Sequence, residues 1–271
     1  MSLDALLIVE LLALGAAVGF MAGLLGVGGG MLLVPFMTLI VSNRGVETGL
    51  AVKMAIATSM ATILFTSLSS VRAHHARGAV RWDLVRTIAP GIVVGGLLAG
   101  AGAFALLKGR WLGLLFGVFI AAMATQMLLA RPPRAMHRLP EPGGQAAMGG
   151  VIGFVSGLVG AGGAFLSVPW MTRGHVPMHQ AVGTSAALGF PIALANTAGY
   201  AIAGWSLPAA LPGAFGYLFV PALVVVSLAS VATAPLGARA SHAMDVRQLR
   251  RIFAFMLYGL ASYMFAKAWL G

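Results

Sequence analysis

The sequence predicts an all-α polytopic membrane protein built from two homologous halves. Charged residues make up only 8% of the chain and hydrophobic residues 59%, at a mean hydropathy of +0.95. A soluble domain carries about 25% charged residues, which it needs to face water. Long apolar runs follow one another without the polar–apolar alternation that an outer-membrane barrel requires. Finally, "GFMAGLLGVGGGMLLVPFM" from Gly19 to Met37 returns as "GFVSGLVGAGGAFLSVPWM" from Gly153 to Met171.

The first apolar run, 3–25, is long enough to cross about 30 Å of hydrocarbon at 1.5 Å per residue. It stops at Gly26, Gly28, Gly29 and Gly30, because glycine is the costliest ordinary residue in a helix interior. Run 31–41 is too short to cross. Runs 51–71, 84–107 and 111–130 are full length. The stretch "RPPRAMHRLPEPGGQ", 131–145, is rich in Pro and Arg and separates the halves. Two short runs follow, 146–159 and 164–172, then 181–203, 211–236 and 250–269. The chain therefore divides into a first transmembrane repeat, 1–130, a cytoplasmic linker, 131–145, and a second transmembrane repeat, 146–271.

The repeat holds residue by residue. At an offset of 134, Gly19, Gly23, Gly26, Gly28, Gly29 and Pro35 fall on Gly153, Gly157, Gly160, Gly162, Gly163 and Pro169. At an offset of 126, "ATS" (57–59) meets "GTS" (183–185), and Gly78 meets Gly204. Two topologies fit. If each glycine-broken pair enters and leaves on one side and three crossings follow, the halves are inverted. If each pair makes one crossing, each half has four and the repeats are parallel. Inversion places 12 of the 17 Lys and Arg inside, whereas the parallel arrangement places 8 inside and 9 outside. The positive-inside rule selects inversion. Both termini are then outside, with loops 72–83, 131–145, 173–180 and 237–249 in the cytoplasm.

Because the basic residues lie between apolar runs, the net charge of +11 is an orientation signal and not a nucleic-acid footprint. No cysteine is present, which excludes disulfides and thiolate sites. The N-terminal segment has no Lys or Arg before Arg44, so it is expected to be mature structure, not a signal peptide. His74-His75 read as a solvated basic loop. His175 and His179 have Pro177 between them, which argues against a metal-binding helix face.

Broken helices in paired repeats place a substrate near the membrane midplane, where half-helix ends point at it. Irregular backbone survives at that depth only if it lines a cavity or is buried in protein. The breaks at Gly26, Gly28 and Gly29 and at Gly160, Gly162 and Gly163 free backbone amides at the starts of half-helices, and such termini bind anions. Gly19, Gly23, Gly153 and Gly157 read instead as small-residue helix packing. Pro35 and Pro169 read as local kinks. Thr58-Ser59 and Thr184-Ser185 lie at matched places in apolar runs and are candidates to coordinate the substrate. Asn196 is a candidate donor to an oxyanion, or else helix–helix glue. Glu10 is an acid inside the first run and a candidate for proton coupling. Neutral donors and helix ends suit a bulky, weakly basic oxyanion. The chain shows no paired carboxylates, Ser/His/Asp constellation or phosphate loop, so it does not read as an enzyme, and no cofactor or metal is expected.

"GLLGVGGGMLLVP", "GLVGAGGAFLSVP", the "ATS" and "GTS" pairs, and Gly78 and Gly204 resemble the TauE/SafE family, the sulfite exporter or toluene-sulfonate uptake permeases. The resemblance covers nearly the whole chain. It implies a multi-pass protein of the bacterial inner membrane, with about eight spans, that transports sulfite, thiosulfate, sulfoacetate or another organosulfur anion. This sequence has Ala164 where the first repeat has Gly30, and Ala57 where the second has Gly183. The expected partners are thus a small anionic substrate and the lipid bilayer, and not nucleic acid. A membrane scaffold or assembly factor without a transported substrate is the alternative.

Overall fold

The computed structural model describes residues 5–25, 29–129, 139–240 and 246–270. Eleven helices and one short hairpin follow in order: α1 (Ala5–Leu25), α2 (Gly30–Asn43), α3 (Thr48–Ala76), α4 (Trp82–Leu97), a π-helical turn (Leu98–Ala103), α5 (Phe104–Leu106), α6 (Gly109–Leu129), α7 (Pro142–Val159), α8 (Ala164–Arg173), α9 (Met178–Gly204), β1 (Ala214–Phe215), β2 (Leu218–Phe219), α10 (Val220–Ala240) and α11 (Val246–Leu270). Among the described residues, seven segments are long and apolar enough to cross a membrane: Ala5–Ala22, Thr48–Ala76, Trp82–Leu106, Gly109–Leu129, Met178–Gly204, Val220–Gly237 and Arg251–Trp269. The fold is the expected all-α polytopic one.

Helix ends follow local chemistry. Glu47 opens α3 by accepting the Gly49 N–H at 3.3 Å, a side-chain cap for an orphan amide. Gly78 closes α3 at φ +65°, with the Ala79 amide donating to His74 and the Gly78 amide to His75. Such a glycine satisfies carbonyls that the helix would otherwise leave free. This stop lies further along than expected. His74 and His75 therefore form the last turn of α3 instead of a loop.

A second difference lies at 211–236, expected as one apolar run. Gly213 and Gly216 have φ of +81° and +54°, a backbone that L residues avoid. They turn the chain into the hairpin, with Ala214 opposite Phe219 and Phe215 opposite Leu218, so the helix starts only at Val220.

Glycines let helices approach closely. Along α1 and α10, a Cβ on Gly15 would lie 2.9 Å from the Val226 carbonyl, and one on Gly19 2.4 Å from that of Ser230. Ser230 and Thr233 hydroxyls donate to the carbonyls of Gly15 and Ala16 at 2.9 and 3.0 Å. Along α4 and α7, Gly149 sits on Ile88 and Gly153 on Ile92 in the same manner. Numbers rise together in both pairs, so each pair is parallel. The other two large contacts run antiparallel. In α3 and α9, Ser67 meets Gly189 and Arg81, just past α3, meets Thr184. In α6 and α11, Gly113 meets Ala268 and Thr125 meets Tyr258 at 2.6 Å. Gly19, Gly153 and Gly157 thus lie at helix contacts. The packing of Gly23 lies outside what the structure describes.

Candidate functional site

The second break is built by two left-handed glycines. Gly160, at φ +64°, ends α7, and the Ala161 amide turns back to the Ser156 carbonyl at 3.3 Å. Gly163, at φ +75°, opens α8, and its carbonyl accepts the amides of Leu166 and Ser167 at 3.1 and 2.9 Å. No side chain caps α8. The amides of Gly162, Gly163, Ala164 and Phe165 have no hydrogen-bond partner among the described residues. The positive end of a half-helix is therefore left open inside the protein.

The first break is described from Gly29 onward, whose carbonyl accepts the amides of Leu32 and Leu33 at 3.2 and 3.0 Å. Gly26 and Gly28 lie outside the described residues. Just after this point the two breaks touch. A Cβ on Gly30 would stand 2.6 Å from the Gly160 carbonyl and 3.4 Å from the Ala161 Cα. The Ser59 hydroxyl donates to the same Gly160 carbonyl at 3.2 Å. A Cβ on Gly160 would stand 3.2 Å from the Ile56 backbone, and one on Gly162 would reach Ile63 at 3.6 Å. Ile56, Ser59 and Ile63 follow helical spacing on one face of α3. α3 thus carries the second break and holds it against the start of α2.

The paired hydroxyls divide into two jobs. The Thr58 oxygen accepts the Phe219 amide at 3.0 Å, and the Thr184 oxygen accepts the Arg81 amide at 3.0 Å. Phe219 and Arg81 immediately precede α10 and α4. Each threonine therefore satisfies an amide at the entrance to a helix of the other half. The serines lie nearer the breaks. Ser59 holds Gly160, and Ser185 accepts from the Ser167 hydroxyl at 2.8 Å. All four are buried.

Asn196 stands among the packing glycines, against Gly157 one helical turn before the second break. Its amide nitrogen donates to the carbonyls of Gly153 and Ile192 at 3.2 and 2.9 Å. Gly96 and Gly157 leave it room, and its amide oxygen is buried without a partner among the described residues. That geometry ties α9 to α7. Glu10 is elsewhere again. It forms an ion pair with Arg44 at 2.9 Å in a groove of about 620 Å³ between α1 and α2 that Leu14, Phe36 and Ile40 also line. Among the described residues no group of three or more His, Asp or Glu is placed to hold a metal ion.

Three features were not singled out from the sequence. Ser156, one turn before the α7 stop, is fully buried, and its hydroxyl has no partner among the described residues. Lys53 donates to the Ala105 carbonyl at 3.1 Å, with the rings of Phe104 and Tyr217 5.5 and 5.3 Å away. Such ring faces stabilise an ammonium without a carboxylate. Burial pushes the Tyr217 phenol above its ordinary pKa, so it stays neutral beside Lys53. Tyr200, also fully buried, donates to the Gly157 carbonyl. Ser156 had a sequence signal: it is a hydroxyl one residue before the packing glycine Gly157.

Seven apolar spans among the described residues, with two touching helix breaks, define a multi-pass helical membrane protein. Residues 11–264 match the family described as Sulfite exporter TauE/SafE. The chain is 31% identical over 257 residues to a Haemophilus influenzae protein named "Probable membrane transporter protein", covering 94% of this chain and 97% of that one. A similarly named Methanocaldococcus jannaschii protein is 26% identical over 269 residues, 96% of each chain. One from Bacillus subtilis is 30% identical over 233 residues, 76% of this chain and 84% of that one. No solved structure matches. The chain belongs to the sulfite exporter TauE/SafE family, a family of membrane transporters and not of enzymes.

Proposed function

We propose that this protein is a secondary transporter for a sulfur-containing oxyanion or an organosulfonate, such as sulfite, thiosulfate or sulfoacetate, in the bacterial inner membrane. The anion sits at the meeting point of the two glycine breaks. It is held by the half-helix amides of α2 and α8 and by neighbouring serine hydroxyls. The observation that carries the proposal is the approach of Gly30 and Ser59 to Gly160. Two segments 130 positions apart, each costly to a helix, meet in the protein interior, and the amides that open α8 have no partner among the described residues.

The halves 1–130 and 146–271, joined by the linker 131–145, act in this scheme as inverted repeats. Supporting this, α3 and α9, and α6 and α11, hold matching places in the two halves and run antiparallel. Equivalent helices related by an axis in the membrane plane must do so. The exchange of partners between α1–α10 and α7–α4 has the same symmetry. Glu10 supplies the coupling step, its carboxylate exchanging Arg44 for a proton.

The test is thermal unfolding of detergent-purified protein across sulfite, thiosulfate, sulfoacetate, taurine and sulfate. An anion that binds only the folded state raises the melting temperature. A flat response to all five supports a scaffold and removes the transport proposal.

A further inference from the structure

The two breaks differ in the donors they carry. At the offset of 134, Ser156 falls on Ala22 and Ser167 on Leu33. The second break therefore has two hydroxyls that the first lacks. Ser156 is 0% exposed and its Oγ has no partner among the described residues. A helical serine usually bonds a carbonyl one turn back, and Thr38, Thr125 and Thr172 do so here. The Ser156 hydroxyl instead lies against the N-terminus of α8, 3.1 Å from where a Cβ on Gly163 would stand. α8 is ten residues long, has no side-chain cap and leaves its first amides free among the described residues. The second hydroxyl belongs to Ser167, whose amide donates to the Gly163 carbonyl of the same turn, and it donates to the Ser185 hydroxyl at 2.8 Å.

We infer that the anion is bound asymmetrically: the Ser156 hydroxyl and the first-turn amides of α8 hold it more strongly than the amides that open α2. This rests on the oxyanion proposal above. It also sets the charge of the ligand. Neither break, 26–30 nor 160–163, contains a charged residue. A helix end offers about half an elementary charge, and hydroxyls offer only dipoles. A monoanion such as methanesulfonate or hydrogensulfite is matched by this set. A dianion such as sulfate is left largely uncompensated on leaving water.

The experiment is calorimetric titration of the purified protein with sulfite, sulfoacetate, methanesulfonate and sulfate, run on wild type, Ser156→Ala, Ser156→Gly and Ser227→Ala. Ser227 is also buried, its hydroxyl without a partner among the described residues, but on α10. Loss of one hydrogen bond to a charged ligand weakens binding roughly tenfold or more. Both Ser156 variants are expected to lose that factor for methanesulfonate, with Ser227→Ala unchanged and sulfate the weakest ligand throughout. Ser156→Gly removes the hydroxyl without adding volume, so a folding defect in one variant does not leave the question open. Wild-type affinity in a folded Ser156 variant, or sulfate as the tightest ligand, overturns the asymmetric site while leaving the oxyanion proposal standing. A wild-type protein that binds none of the four overturns both.

Discussion

The hydroxyl of Ser59 donates to the carbonyl of Gly160, 3.2 Å away and 101 positions further along the chain. One bond therefore fastens the second half's broken helix to the first half's longest helix. Both residues are buried, and a lone carbonyl at that depth is costly. Ser59→Ala is expected to lower stability by about 1 kcal/mol. Gly30→Val, which drives a side chain into the same carbonyl, is expected to cost about 1–3 kcal/mol. Thermal unfolding in detergent measures both. A Gly30→Val protein as stable as wild type would show that the breaks are not in contact.

The packing glycines act differently. Gly19→Ala and Gly153→Ala place a methyl 2.4 Å from the backbone carbonyls of Ser230 and Ile92, and must push α1 from α10 or α7 from α4. Each is expected to lower the melting temperature while leaving the anion-induced shift in the folded protein intact. A variant of normal stability that has lost the shift would move these glycines into the binding site.

The threonine caps predict a reciprocal pair. Thr58→Val leaves the Phe219 amide without an acceptor, and Thr184→Val does the same to Arg81. Each is expected to destabilise by about 1–3 kcal/mol through the helix entrance of the opposite half. Hydrogen exchange reads this directly. Faster exchange should appear at the start of α10 in the first variant and of α4 in the second.

Glu10→Gln tests coupling. If the carboxylate exchanges Arg44 for a proton, the neutral variant is expected to transport without pH dependence while still binding the anion. Transport assays in proteoliposomes at several pH values decide it. Unchanged pH dependence removes Glu10 from the mechanism.

Inverted topology predicts the labelling of single introduced cysteines. Residues 77, 175 and 240 should label from the cytoplasm, and 108 and 208 from outside. Labelling of 175 and 240 from the outside would mean parallel repeats, against the antiparallel course of α3 and α9.

Much of this was legible in the sequence because it depends on local chemistry. Apolar length marks the spans, and the glycine cost marks the breaks before α2 and α8. Hydroxyl assignments were harder. That Thr58 and Thr184 receive the amides of Phe219 and Arg81 depends on which chain ends the fold brings near, and no local pattern encodes that. Asn196 shows the same limit, since its partners Gly153 and Ile192 identify it as a tie between helices only once α7 lies beside α9. The hairpin at 214–219 was hidden by its own apolarity. Ser156 was overlooked because a single hydroxyl in an apolar helix ordinarily satisfies itself.

Gly162→Val tests the central claim most directly. Gly162 does not adopt a left-handed backbone, and a Cβ there meets only Ile63 at 3.6 Å, an ordinary contact. A side chain at this position therefore disturbs packing little but occupies the approach to the free amides of α8. The measurement is the substrate-induced thermal shift of folded, monodisperse Gly162→Val beside wild type, using whichever of the five anions shifts wild type most. The expected result is a melting temperature near wild type without ligand and no shift with it. A full wild-type shift in the variant would show that the breaks are structural and that the anion binds elsewhere.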